Sequence, residues 1–382
     1  MEECPADLRN RHLAAAASAR DRGLAIELPL PGPMEWTSAL ELPMEGRGFA
    51  LAELGTPYDR LPKRAEGVVR EPVWNLSQDS AGMVVSFLCT SPEIHARWTL
   101  RKENLAMAHM PATGVSGLDL YVNTADGWRW LAVGVPQALD SAVALCSGLP
   151  AGKHEFMLYL PLYNGVHSLD IGVPAGAGAI SAAPPRPAHH QAPIAFYGTS
   201  ITQGGCASRP GMAYTAIVGR RLDRPVVNLG FSGNGRMEPE VADLLVGLSP
   251  VPCVFVIDCL PNMNGEAVAA SAPALVRTIR AAHPAVPILL VEDRIYASVH
   301  SGLMPGQAEA NRTNREALRH AYEALQEEGV AGLHYLEAGV QLSTDGEDTV
   351  DGSHPTDLGF LRQADAFEAA LLPLVAGPSA HL

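Results

Sequence analysis

The chain has 382 residues, 47% of them apolar and 18% charged, a globular rather than a disordered composition. Lysine plus arginine number 27 against 41 acidic residues, a formal charge of −14. A surface that negative repels phosphate backbones and anionic lipid heads, which argues against nucleic-acid and membrane partners.

No run approaches the roughly 18 continuous apolar residues of a membrane helix, and about 150 residues per domain predicts two or three domains. In residues 1–24, Ala14 to Ala17 lie among Arg9, Arg11, Arg20 and Arg22. That is too short and too charged for a signal-peptide core and reads as a helical segment. Residues 25–183 are β-like. Stretches 83–89, 95–100, 118–123, 128–133, 154–162 and 168–173 read as strands, with Asp126-Gly127 as a hairpin turn. Their spacing predicts an antiparallel β-sandwich, jelly-roll-like. Pro184, Pro185, Pro187 and Pro193 then make 184–193 a linker, because proline removes a donor and extends its predecessor. His189-His190 are expected to be solvated there.

Beyond the linker, apolar strands at 194–197, 226–229, 253–258, 288–291 and 334–336 alternate with helical stretches at 212–222, 239–248, 267–282, 307–328 and 357–372. This predicts a catalytic α/β domain over 194–382, a doubly wound parallel sheet in three α/β/α layers, flavodoxin-like. The six cysteines show no paired spacing, so neither a zinc site nor a disulfide framework is indicated, and a reduced, cytoplasmic protein is expected. Cys253 and Cys259 read as small buried hydrophobes.

Each chemical motif follows a strand, where such sheets build their sites. Gly198-Thr199-Ser200-Ile201-Thr202 presents a serine on a turn after the first strand. Thr202 stands where the α/β-hydrolase elbow requires glycine. Asn228 to Gly235 carries glycines that expose backbone amides, without the lysine-serine pair of a phosphate loop. Asn262 follows the third strand and could donate to an oxyanion, or serve as a turn residue. Asp351-Gly352-Ser353-His354 places a carboxylate three residues before an imidazole, as a general base requires. The same pair also fits an Asx-turn beside a helix cap at Thr356 or Asp357.

In this order the blocks resemble those of the SGNH hydrolases, or GDSL esterases. Ser200 matches the first block, Gly233 the second, Asn262 the third, and Asp351 with His354 the fifth. The resemblance covers roughly residues 192 to 375. It departs at Thr199, where the usual motif has aspartate, and at Asp258 to Asn262, where Gly-x-Asn-Asp is usual. Gly117-Leu118-Asp119-Leu120-Tyr121 extends it into a branch with an N-terminal β-sandwich.

The resemblance implies a serine esterase with Ser200 as nucleophile, His354 as base and Asp351 orienting the ring. The oxyanion hole would be the amides of Ser200 and Gly233 with the Asn262 side chain. Neither metal nor organic cofactor is implied. The implied partner is a small-molecule acyl ester, first an acetylated sugar. Acyl transfer through the same triad, or sugar binding by a vestigial site, are the competing readings, and a homo-oligomer is left open. Met110, beside His109, and Arg294 are candidate substrate contacts. Met110 could equally pack between domains, and Arg294 could pair with Glu292 or Asp293. Trp128 and Trp130 are expected in the sandwich core rather than as a sugar platform. Asp345, Glu347 and Asp348 fit no calcium loop and read as a solvated turn.

Overall fold

The computed structural model describes residues 32–376, so the helix expected over 1–24 lies outside them. Two antiparallel sheets face each other in the N-terminal half. One orders the strands Met34–Ser38, Val166–Pro174, Glu93–Leu100 and Asp140–Ser147. The other orders Ile180–Ala182, Val84–Cys89, His154–Tyr159, Leu118–Thr124 and Gly127–Gly134, with Met44–Glu45 also on Val84–Cys89. Phe87, Trp98, Leu118, Leu120, Phe156, Leu158 and Ile171 fill the space between. Each such side chain contributes about 1.5–3 kcal/mol by leaving water. The expected β-sandwich is therefore present. The hairpin turn falls on Ala125-Asp126, one residue before the expected pair, and Gly127 opens the next strand opposite Thr124 at φ 88°, a conformation glycine adopts without strain.

The two tryptophans are not in that core. A bulge between Leu120 and Tyr121 skips Leu131, so Ala132 faces Leu120 while Trp130 faces Tyr121. One extra residue reverses the facing of everything beyond it. Trp130 is consequently 46% exposed, and Trp128 packs outside the sandwich against Tyr121, Met157 and Tyr159.

The C-terminal half carries a five-stranded parallel sheet in the order Val226–Gly230, Ile194–Gly198, Val254–Asp258, Ile288–Val291, Leu333–Leu336. Side chains alternate in register. Tyr197, Leu229, Phe255, Ile257 and Leu290 enter one core, beneath the helices Pro239–Val246, Gly265–Ala282 and Pro305–Glu327. Phe196, Val226, Val256, Leu289 and Val291 enter the other, beneath Tyr214–Arg221 and Asp357–Val375. This is the expected three-layer sheet. Its strand order reverses at Ile194–Gly198, so the crevice at the carboxyl end of that strand is the natural ligand position.

The halves interlock. Phe49, Leu61, Ala65, Val69 and Val73 join the first of those two cores, and Met110, Val115 and Leu162 the second. In the proline-rich segment, Ala188–His190 forms a single 3-10 turn. His190 is not merely solvated: its Nδ1 lies 2.7 Å from Asp223 Oδ2, and Arg186 holds both Asp223 and Glu45. No helix among the described residues is long and apolar enough to cross a membrane. No group of three or more His, Cys, Asp or Glu among them could hold a metal.

Candidate active site

At the end of the Ile194–Gly198 strand, Thr199 caps the short helix Ser200–Gln203, its hydroxyl accepting from the Ile201 amide at 3.4 Å. Gly204 closes that helix at φ 111°, where a side chain would be strained. Ser200 is 7% exposed. Its Oγ lies 2.7 Å from His354 Nε2, and His354 Nδ1 lies 2.8 Å from Asp351 Oδ2. Hydroxyl, imidazole and carboxylate stand in one hydrogen-bonded line.

The loop before the last helix makes this possible. Asp351 Oδ1 accepts from the amides of Ser353 (3.0 Å) and His354 (2.8 Å), leaving Oδ2 for the ring. The Asx-turn and the imidazole contact thus coexist on one carboxylate. Thr356 caps the following helix, accepting from the Gly359 amide at 3.4 Å. Burial pushes the Asp351 carboxyl up, but the amide and ring hydrogen bonds outweigh it and hold the group at about 2. Asp345 and Glu347 are exposed as expected. Asp348 is not: it is 2% exposed, accepting from Arg362 Nη1 at 2.5 Å and the Ser343 amide at 2.6 Å.

Arg294, a candidate substrate contact, is instead buried, at 1% exposure. It donates through Nε to the Ser353 carbonyl (2.8 Å), through Nη2 to Ser353 Oγ (2.9 Å) and through Nη1 to Asp293 Oδ1 (3.0 Å). Asn311 in turn donates to Asp293 and to the Arg294 carbonyl, both at 3.1 Å. A buried guanidinium must find acceptors, and here they belong to the His354 loop. Glu292 serves other donors, the Tyr335 hydroxyl at 2.8 Å and the Ala338 amide at 2.7 Å.

Met110 does not reach the cleft either. It is 2% exposed and packs with Ala207 and Leu162, which is the interdomain packing alternative. Its exposed neighbour His109 instead stands over the site, its ring 5.9 Å from that of His354 at 81°.

The second and third loops meet beside the serine. The Phe231 amide donates to the Gly198 carbonyl at 3.0 Å, and the Ser232 amide to Gln203 Oε1 at 3.0 Å. Gly233 sits at φ 69°. Gly235 donates its amide to Asn262 Oδ1 at 3.2 Å, turning the Asn262 NH2 group the other way; a Cβ on Gly235 would collide with the Gly198 carbonyl. Among the described residues, no protein acceptor takes the amides of Ser200 and Gly233 or the Asn262 NH2 group. Free donors of this kind can stabilise a developing oxyanion.

Asp258, where the third block departs from the usual pattern, lies beneath the site at 2% exposure. It accepts from the Tyr214 hydroxyl (2.9 Å) and Thr202 Oγ1 (3.2 Å), and burial pushes its carboxyl up to about 7.

Several supporting residues come from the N-terminal half. Tyr163 donates its hydroxyl to the Ser200 carbonyl at 3.0 Å. Lys102 reaches Asp79 at 2.5 Å, and Asp79 accepts from Gln203 at 3.2 Å. Arg60 donates to the carbonyls of Asn228 (3.1 Å) and Gly230 (2.6 Å), and Arg70 to Asn234 Oδ1 (2.8 Å). None of these pairings has a sequence signal. The stretch from Gly117 to Tyr121 does. Leu118 and Leu120 face the sandwich core, while Asp119, fully buried, accepts from the Gly211 amide and Arg209, both at 2.8 Å.

Comparison with known proteins agrees with this architecture. Residues 191–372 match the GDSL-like lipase/acylhydrolase family, and residues 34–178 match the GxDLY N-terminus of SGNH hydrolase-type esterases. A GDSL-like lipase from Bacteroides ovatus is 31% identical with a TM-score of 0.83, covering 90% of this chain and 98% of its own. The salicylyl-acyltransferase of a tetracycline biosynthetic pathway is 18% identical with a TM-score of 0.71, at the same coverages. A family two carbohydrate esterase from Clostridium thermocellum, in complex with cellohexaose, is 17% identical with a TM-score of 0.55 over 78% of this chain and 93% of its own. The last two share the fold alone. No curated protein matches the chain. The chain belongs to the GDSL-like lipase/acylhydrolase family of SGNH hydrolases.

Proposed function

We propose that this member of the SGNH hydrolases is a serine esterase that removes small acyl groups, acetyl first, from esters of carbohydrates. The observation that carries the reading is the continuous line from Ser200 Oγ to His354 Nε2 at 2.7 Å and from His354 Nδ1 to Asp351 at 2.8 Å. In this mechanism His354 takes the Ser200 proton as Oγ attacks the ester carbonyl. Asp351, held as a carboxylate at about 2, fixes the ring tautomer and stabilises the imidazolium. The amides of Ser200 and Gly233 and the Asn262 NH2 group receive the oxyanion. His354 then passes its proton to the departing alcohol, and a water activated by the same ring releases the acid.

The competing acyltransferase would use the same acyl-enzyme but must exclude water. His354 and Asp351 keep 25% and 44% of their side chains exposed, which favours water as the acceptor. A vestigial site would not be expected to retain three aligned side chains with free oxyanion donors beside them. The test is Ser200→Ala. Turnover of p-nitrophenyl acetate and of acetylated sugars should fall about 10³-fold or more, and labelling by a fluorophosphonate should disappear. Unchanged turnover would remove the mechanism; turnover that depends on an added acceptor alcohol would favour the transferase.

A further inference from the structure

His109 comes from the sandwich half and stands at the imidazole without a role in the proton-transfer line. Its loop is built to present it. Met107 and Met110 exchange backbone hydrogen bonds, Met107 N to Met110 O at 3.0 Å and Met110 N to Met107 O at 3.1 Å, so Ala108 and His109 form the tip of a closed turn. Met110, 2% exposed, plugs that turn into the hydrolase core beside Ala207 and Leu162. The fit is tight behind it: a Cβ on Gly114 would strike the Ala207 carbonyl and approach Met110 Cε to 2.9 Å. The tip is therefore fixed, and His109 is exposed on it.

The ring of His109 meets that of His354 edge-to-face, centroids 5.9 Å apart at 81°. Three sides of the His354 ring are already occupied. Nδ1 faces Asp351, Nε2 faces Ser200, and Cδ2 lies against Gly205, where a Cβ would approach it to 3.4 Å. His109 stands beside this ring, whose Nε2 must hand its proton to the departing alcohol. Among the described residues no protein group hydrogen-bonds either His109 nitrogen, so both are free beside the His354 ring. A fixed, unengaged donor and acceptor beside the leaving group suits an alcohol carrying further hydroxyls.

We infer that His109 recognises the alcohol side of the substrate, hydrogen-bonding a hydroxyl of a polyol or sugar leaving group, and so sets the preference for hydroxylated esters. This rests on the esterase reading above and adds the residue that selects the alcohol.

The experiment compares kcat/KM for glyceryl monoacetate and for ethyl acetate, which share the acyl group and differ in alcohol hydroxyls, in wild type, His109→Phe and His109→Gln. Fluorophosphonate labelling is measured in parallel. The wild type should prefer the hydroxylated ester. That preference ratio should fall about three- to tenfold in His109→Phe, the loss of one neutral hydrogen bond, and recover at least partly in His109→Gln. A ratio unchanged in His109→Phe, or a wild type with no preference, overturns the inference. So does a His109→Phe protein that has lost fluorophosphonate labelling while still folded, because His109 would then act through the His354 ring. A wild type that never labels instead sinks the esterase reading itself, and the two failures are distinguishable.

Discussion

Replacing Arg294 separates a residue that positions the His354 loop from one that touches substrate. Arg294→Met keeps the length and apolar stem but removes the charge, leaving Asp293, fully buried, without its cation and the Ser353 carbonyl without its donor at 2.8 Å. Removing one partner of a buried pair costs about 3–5 kcal/mol, which at roughly 2–4 °C per kcal/mol lowers Tm by about 10 °C. Ser353 lies between Asp351 and His354, so release of its carbonyl and hydroxyl lets the ring drift, and a displacement of about 1 Å costs around 10²-fold in kcat. Burial pushes the Asp293 carboxyl up and Arg294 opposes that push. Without the guanidinium, the folded protein holds the Asp293 proton more tightly than the unfolded chain does. The destabilisation therefore deepens as pH rises above the ordinary carboxylate range near 4. Arg294→Lys should recover part of the stability but less of kcat, since a single ammonium cannot reproduce the fork onto Ser353. The assay is thermal melting at pH 5 and pH 8 beside steady-state kinetics on p-nitrophenyl acetate. A Tm within about 2 °C of wild type together with a raised KM and unchanged kcat would refute the positioning role and restore a substrate contact.

Two further substitutions probe the floor of the site. Asn262→Ala should lower kcat by about 10²- to 10³-fold with little change in KM, as loss of an oxyanion donor does; a loss below threefold would remove Asn262 from the oxyanion hole. Asp258, pushed up by burial to about 7, binds a proton in the folded chain that the unfolded chain releases near 4. Wild-type stability should accordingly fall by about 2–4 kcal/mol between pH 4 and pH 7 through this group. Asp258→Asn, whose carbonyl can still accept from Tyr214, should flatten that slope in urea unfolding, and parallel slopes in the two proteins would contradict it.

Features that depend on neighbours in sequence were readable before the structure. The parallel strands announce themselves as short apolar runs, and Asp351 and His354 meet because three residues of one loop suffice to bring them together. The serine, glycine and asparagine blocks are legible because each follows a strand. What stayed hidden has no local trace. Asp79 and Gln203 are 124 residues apart and Arg70 and Asn234 164, so neither periodicity nor spacing records them. The tryptophans were misplaced for a subtler reason. Alternation read outward from the Asp126-Gly127 turn is correct only while the ladder is regular, and the bulge at Leu120/Tyr121 reverses it. Arg294 pairs with Asp293, one of the alternatives the sequence offers, but its hold on Ser353 leaves no local trace, because those acceptors lie 59 residues later.

The N-terminal half holds the loops of the candidate site. The serine turn is held from outside its own domain by the Tyr163 hydroxyl on the Ser200 carbonyl. The glycine loop is held by Arg60 on the carbonyls of Asn228 and Gly230, and by Arg70 on Asn234. Gln203 joins the two, accepting from the Ser232 amide and donating to Asp79, a carboxylate buried with Lys102 as its cation. Removing the sandwich would expose the apolar patch that Phe49, Leu61 and Val73 now cover and unpair the carbonyls that Arg60 satisfies, each at a cost of about 1–3 kcal/mol. Ser200 and Gly233 would then rest on loops held only by bonds within the α/β half, such as the Phe231 amide on the Gly198 carbonyl and the Ser232 amide on Gln203. On the proposed mechanism, a hydroxyl and an amide that act on one carbonyl need that external frame to hold their geometry. The serine loop and the sandwich are therefore packed and hydrogen-bonded as one unit.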